Sequence, residues 1–171
     1  MEGGLKIKKF FIYLISLILL LIIQLSIPPE LPLFAVKPDL LLIIITVLGL
    51  LLGTKYGAGF GFIAGTFQDL FLGGILGVFT ILKTFTGGLA GLMEGNVFKE
   101  RYFIAPLIIF VNTVIHDIVY IFLSENLIFN ISFLQVLKQR ILPEAFLNAL
   151  LGLIIYYIFY KIEDPGGSYY E

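Results

Sequence analysis

The chain alternates between long apolar segments and short segments that contain proline, glycine or charged residues. The first apolar run, from Phe10 to Ile27, has 18 residues and is interrupted only by Ser16, Gln24 and Ser26, so it is long enough to cross a bilayer as a helix. The whole pattern predicts an all-α integral membrane protein, a single domain over 1–171 with six transmembrane helices at about 10–27, 38–53, 57–71, 76–93, 102–123 and 142–161.

The first two helices are delimited by proline. The first run is too long for the apolar region of a signal peptide and no A-x-A cleavage pattern follows it, so we expect it to remain as a helix. Pro28, Pro29 and Pro32 end it, because proline cannot continue a helix. The second run, 40–52, is so rich in leucine and isoleucine that we expect it to be the helix most exposed to lipid.

Glycines recur at every fourth position through the third and fourth helices. Small residues at this spacing let two membrane helices approach closely, and we expect the two helices to pack on each other within one molecule. The alternative is a seam between copies of the chain; Gly59 and Gly88 lie off the stripes and predict a possible homodimer. The helix-packing candidates are Gly57, Gly61, Gly65, Gly73, Gly77, Gly87, Gly91 and Gly95.

Two aspartates are placed at predicted helix ends. Lys37-Pro38-Asp39 opens the second helix, and the Asp39 carboxylate there can accept hydrogen bonds from the free amides of the first turn. Asp69 lies near the end of the third helix, and a charge at that depth needs a partner or a function. Our preferred interpretation is that it accepts from the amides of Gly73 and Gly74 and fixes the turn between the third and fourth helices.

Polar stripes follow the last two helices. Asn112 and His116 are four residues apart, as are Glu144 and Asn148, and residues at that spacing share a helix face. The stripes predict either interhelical hydrogen bonds, which we favour, or a ligand pocket. With one histidine and no cysteine, no metal site and no cofactor are expected.

The segment before the last helix carries apolar residues at helical spacing, which predicts a short interfacial helix near 127–140 and a last helix that begins at Pro143. With six spans both termini lie on one side. The segments on that side hold seven Lys and Arg and the outer loops hold three, so we expect cytoplasmic N- and C-termini.

Composition supports these assignments and narrows the function. Of the 171 residues 59% are hydrophobic and 13% charged, with a mean hydropathy of +1.03, whereas soluble domains have about twice that share of charge. There is no basic cluster for nucleic acid and no catalytic motif of the hydrolase or metalloprotease type. An enzyme is therefore the last choice.

Several motifs together resemble one family. They are Pro38-Asp39 before the leucine-rich span, Asp69-x-x-x-Gly73-Gly74-x-x-Gly77, the glycine-rich span from Gly87 to Gly95, and Leu142-Pro143-Glu144 with Asn148 one turn further on. This combination resembles MreD, the rod shape-determining membrane protein family of bacteria.

The resemblance implies a non-enzymatic protein of the bacterial inner membrane that binds the membrane-anchored MreC. It also implies a place in the cell-wall elongation complex with MreB, RodA and a class B penicillin-binding protein, where the protein would help maintain rod shape and direct peptidoglycan synthesis. The family resembles in turn the six-helix S-components of energy-coupling-factor transporters. The alternative is therefore a substrate-binding subunit for a vitamin or other small molecule, which would use the two polar stripes as its pocket.

Overall fold

The computed structural model of the protein describes residues 2–27, 36–72, 76–94, 104–123 and 133–163. Within these ranges all regular secondary structure is helical. The elements are α1 (Glu2–Ser26), α2 (Leu40–Leu52), α3 (Thr54–Leu72), α4 (Val78–Gly91), α5 (Ile104–Leu123), α6 (Phe133–Val136), a π-helical turn (Leu137–Ile141) and α7 (Leu142–Glu163).

The helix ends lie close to those expected from the sequence, with one exception at the N-terminus. α1 begins at Glu2, eight residues before the apolar run. The other described ends differ from the expected ones by three residues or fewer. Pro38 and Asp39 precede α2 and are not part of it.

The prediction of a separate interfacial helix near 127–140 is wrong for 133–140, the part of that segment that the structure describes. Residues 127–132 lie outside the described ranges. Phe133–Glu163 is one continuous helix of 31 residues. The amide of Leu142 donates to the carbonyl of Leu137, five residues back. This wider π turn lets the helix continue into Pro143, whose ring would clash with the preceding turn of a regular α-helix.

α2 is the centre of the bundle, so the expectation that it faces lipid is wrong. All its residues from Leu40 to Leu50 are buried, and it packs against α1, α3, α4, α5 and α7. A helix that is apolar on every side suits either lipid or a protein core. Hydropathy cannot distinguish a lipid environment from a protein core, and in this structure α2 lies in the core.

α3 and α4 meet along the two glycine stripes. A Cβ atom at Gly57 would lie 2.2 Å from the carbonyl oxygen of Gly87, and one at Gly61 would lie 2.2 Å from that of Lys83. At Gly65 it would lie 2.4 Å from the carbonyl oxygen of Phe79. The glycines therefore allow backbone to touch backbone. Gly77 differs, because it has φ +93 and no neighbouring atom; Gly73 and Gly95 lie outside the described ranges.

Within the described ranges three helices are long and apolar enough to cross a membrane: Ile7–Ser26, Ile104–Leu123 and Phe133–Glu163. α2 is apolar but has only 13 residues, a rise of about 20 Å against a hydrocarbon core of about 30 Å. Large apolar side chains on α1, α5 and α7 are exposed, among them Phe11, Leu107 and Phe146. These outer helices have the surface expected of helices in contact with lipid.

Candidate functional site

A cavity of about 380 Å³ lies at the end of the bundle where α1, α3 and α5 finish and α2, α4 and α7 begin. Polar and charged side chains reach its wall from α1, α3, α5, α7, the π-helical turn and the segment before α2, although the surrounding bundle is largely apolar. The lining residues are Gln24, Val36, Lys37, Pro38, Asp39, Gln68, Phe79, His116, Asp117, Tyr120, Arg140 and Glu144.

Asp39 and Lys83 form a buried ion pair beside this cavity. One carboxylate oxygen of Asp39 accepts from the amide of Leu42 at 2.9 Å and caps α2, while the other accepts from Lys83 Nζ at 2.5 Å. Lys83 is completely buried. Since an unpaired charge is very costly in such a place, the pair ties α4 to the start of α2.

The two asparagines of the polar stripes link helices and do not line the cavity. Asn148 Oδ1 accepts from the backbone amide of Asp39 at 3.0 Å. Asn112 Nδ2 donates to Thr46 Oγ1 at 3.1 Å and to the carbonyl of Thr86 at 3.2 Å. One stripe residue on each of α5 and α7 therefore serves interhelical hydrogen bonding.

The other two stripe residues, His116 and Glu144, do line the cavity. His116 Nδ1 lies 3.0 Å from Asp117 Oδ1. In the described part of the chain, three buried atoms have no hydrogen-bond partner, namely Gln68 Oε1, His116 Nε2 and Asp117 Oδ2. Of the stripe residues, the two asparagines therefore bond between helices, while His116 and Glu144 line the cavity.

Asp69 lies outside the cavity wall and joins α3 to α4. Its Oδ1 accepts from the amide of Phe79 at 3.1 Å, and its Oδ2 accepts from the amide and hydroxyl of Thr80 at 3.0 and 2.5 Å. The carboxylate thus caps the first turn of α4. The expected partners, Gly73 and Gly74, lie outside the described residues.

Several functional side chains were missed as candidates by sequence reasoning. Lys83 carried a usable signal, because a lone cation within an apolar helix requires a buried partner. Gln24 and Gln68 do not belong to a polar stripe at helical spacing, so periodicity gave no signal for them. In the structure, Oε1 of Gln24 accepts from the amide of Leu41 at 3.0 Å. Arg140 was assigned to a surface helix, and only the continuous α6–α7 helix brings it to the cavity.

The composition of the cavity points to an organic ligand more than to a metal. Within the described ranges no group of three or more His, Cys, Asp and Glu side chains is arranged to hold a metal ion. The wall instead offers amides, a histidine, carboxyl groups and two cations, which between them can donate hydrogen bonds to a polar molecule and accept hydrogen bonds from it.

Comparison with known proteins gives one match. The model of the family described as rod shape-determining protein MreD matches residues 5–163. No curated protein and no solved structure matches the chain.

Proposed function

Because this chain belongs to the MreD family of rod shape-determining proteins, we propose that it is a non-enzymatic scaffold of the bacterial cell-wall elongation complex. In this proposal it binds an MreC-type membrane-anchored protein and helps direct peptidoglycan synthesis together with MreB, RodA and a class B penicillin-binding protein. The observation that carries the proposal is the extent of the family match, which covers nearly all of the chain.

The packing of the bundle suits a scaffold. α2 is enclosed by five other helices, α3 and α4 touch through backbone, and Asp39 connects α2, α4 and α7. A partner that binds to any outer helix would therefore bind to a preorganised surface, which lowers the entropic cost of association.

The proposed topology has six crossings with both termini in the cytoplasm of a bacterial inner membrane. The structure supports an even number of crossings, because Lys9 Nζ near the start of α1 lies 2.8 Å from Glu163 Oε2 at the end of α7. The excess of Lys and Arg in the segments assigned to that side supports a cytoplasmic position.

The surface for the MreC-type partner is proposed at the opposite end of the bundle, around 28–39 and 124–140. In its described part, Phe133 and Leu134 are exposed at the start of the last helix. Exposed aromatic and aliphatic side chains beside cations such as Lys138 are typical of a protein interface with an apolar centre and a polar rim.

A pull-down from detergent-solubilised membranes, with the tag on this chain, tests the proposal. We expect recovery of an MreC-type protein, and we expect Phe133→Asp/Leu134→Asp to reduce that recovery. The matched control is Met93→Asp, an exposed position at the other end, which should have no effect. Failure to recover such a partner, or normal rod shape after deletion of the gene, would reject the scaffold.

The transporter-subunit alternative has one observation in its favour, the cavity with His116 and Glu144 in its wall. The same pull-down distinguishes it, because a transporter subunit would recover ATPases and a transmembrane coupling protein. The cavity by itself supports ligand binding, which a scaffold can also have.

A further inference from the structure

Three side chains of the cavity wall each carry an unpaired polar atom. Gln68, His116 and Asp117 line the cavity and are only 4%, 3% and 8% exposed, and each contributes a buried polar atom without a hydrogen-bond partner among the described residues. Buried polar groups in proteins are nearly always hydrogen-bonded. Because all three side chains line one cavity, they point to a ligand there.

The unpaired oxygens among these atoms are acceptors. Gln68 Oε1 and Asp117 Oδ2 have free lone pairs. A hydrogen bond from His116 Nδ1 to Asp117 Oδ1 puts a proton on Nδ1, and in the neutral ring Nε2 is then an acceptor as well. The matching ligand group must therefore supply several hydrogen-bond donors.

The charges of the wall are unevenly distributed. Asp39 is already paired with Lys83, which leaves the buried carboxyl groups of Asp117 and Glu144. The two remaining cations are nearer the surface, since Arg140 is exposed and Lys37 is half-buried. A ligand that fits has a cation at the buried end and an anion at the outer end.

We propose that this cavity binds a zwitterion in which a primary ammonium is joined by a short linker to an anionic phosphate or carboxylate. An ammonium has three donors and no acceptor, and its positive charge is attracted to neighbouring carboxyl groups. Arg140 and Lys37 suit the anionic group. The phosphoethanolamine unit has this chemistry, either as a lipid headgroup or in a soluble molecule.

The cavity volume is consistent with such a ligand, since small-molecule sites occupy about 300–1,000 Å³ and this one has about 380 Å³. Binding of the zwitterion does not depend on the proposed protein partner. A protein that never binds MreC could still bind the zwitterion, and a protein that binds MreC could fail to bind it.

Native mass spectrometry of the full-length protein in detergent tests the inference with equal amounts of phosphatidylethanolamine and phosphatidylcholine. These lipids share the phosphate, but the trimethylated nitrogen of choline has no N–H donor. We expect phosphatidylethanolamine to be retained about tenfold more than phosphatidylcholine, because the choline group cannot form the charge-assisted hydrogen bonds. Equal retention of the two lipids would overturn the proposal, and so would no retention of either lipid together with no binding of soluble glycerophosphoethanolamine.

A second arm separates the two sources. Glycerophosphoethanolamine is added as a competitor, with glycerophosphocholine as its control. If the soluble ethanolamine compound displaces phosphatidylethanolamine at comparable concentration, the headgroup alone is recognised and a free solute is the ligand. If it does not while lipid selectivity persists, the ligand is the lipid.

Two variants locate the site. Asp117→Asn should abolish the preference for phosphatidylethanolamine, because it removes the charge and replaces an acceptor with a donor. Glu163→Gln changes a carboxylate at the other end of α7 and should leave the preference intact. Selectivity that survives in Asp117→Asn would place the ligand elsewhere and reject the site. If that variant does not fold, the comparison of the two lipids on the wild-type protein still tests the proposal.

Discussion

Asp39 joins three helices through its own atoms. Its carboxylate caps α2 and accepts from Lys83 of α4, and its backbone amide donates to Asn148 of α7. Each bond satisfies a group that would be costly if left alone in an apolar interior. This side chain consequently fixes the positions of the helices that form the cavity wall.

Replacement of Lys83 by methionine tests the ion pair. Met has similar length and is apolar, but it leaves Asp39 buried without its cation, and loss of one partner in a buried pair costs about 3–5 kcal/mol. We expect a marked loss of stability in thermal unfolding of the detergent-solubilised protein. The double variant Asp39→Asn/Lys83→Met should recover part of it.

The control is the half-buried pair of Lys9 and Glu163, where Lys9→Met should cost at most about 1 kcal/mol. Equal effects of the two lysine substitutions would show that burial does not determine the strength of the Asp39–Lys83 pair.

At the scale of elements, the α3–α4 contact depends on glycine on one face of each helix. The stripe of Gly57, Gly61 and Gly65 meets backbone atoms of α4 within 2.4 Å of where a Cβ would be. Gly59 is on the same helix but has no atom within 4 Å of that position. α3 therefore contains its own matched control.

Gly61→Ala and Gly59→Ala should have opposite effects on stability. At Gly61 the methyl group would collide with the carbonyl of Lys83, and overpacking of this kind costs about 1–3 kcal/mol. At Gly59 the methyl group meets no clash, and alanine stabilises a helix by up to about 1 kcal/mol relative to glycine. Thermal unfolding of the two variants decides; a stable Gly61→Ala would contradict the close contact.

Asp69 controls the same pair of helices from its end. Asp69→Ala would leave the amides of Phe79 and Thr80 without their acceptor, and loss of a cap costs about 0.5–2 kcal/mol. Asp69→Asn keeps one acceptor oxygen and should cost less. The order Asp, Asn, Ala in melting temperature is the expected result, and an alanine variant as stable as the parent would exclude the capping role.

The hydrophobic pattern predicted the positions of the helices because its period and length are local properties of the sequence. It wrongly predicted that α2 faces lipid, since a helix rich in leucine and isoleucine has the same pattern in lipid and in a protein core. It divided the last helix at Pro143, because proline usually marks the start or end of a helix and the sequence pattern gives no sign of the π turn that accommodates it. At the site, periodicity found His116 and Glu144, but Gln24 and Gln68 belong to no periodic stripe and needed the tertiary contacts.

At the scale of the whole molecule, the proposed topology fixes the side of the membrane on which the first helix and the last helix each begin. The chain has no native cysteine, so single introduced cysteines report sidedness without a background. In intact cells we expect a membrane-impermeant maleimide to label Lys138→Cys and not Lys8→Cys, both of which are exposed positions. Labelling of Lys8→Cys in intact cells would reverse the proposed orientation.

The possible homodimer is also a question about the whole molecule. Gly59 is exposed on the face of α3 turned away from α4, where a second copy could approach closely, as small residues permit in membranes. Gly88 is closer to Ala58 of its own molecule, so the prediction depends on Gly59. Native mass spectrometry should show dimer that increases with concentration and is reduced in Gly59→Leu. Val111→Leu, an exposed position on α5, should leave the dimer unchanged, and monomer alone at every concentration would refute the prediction.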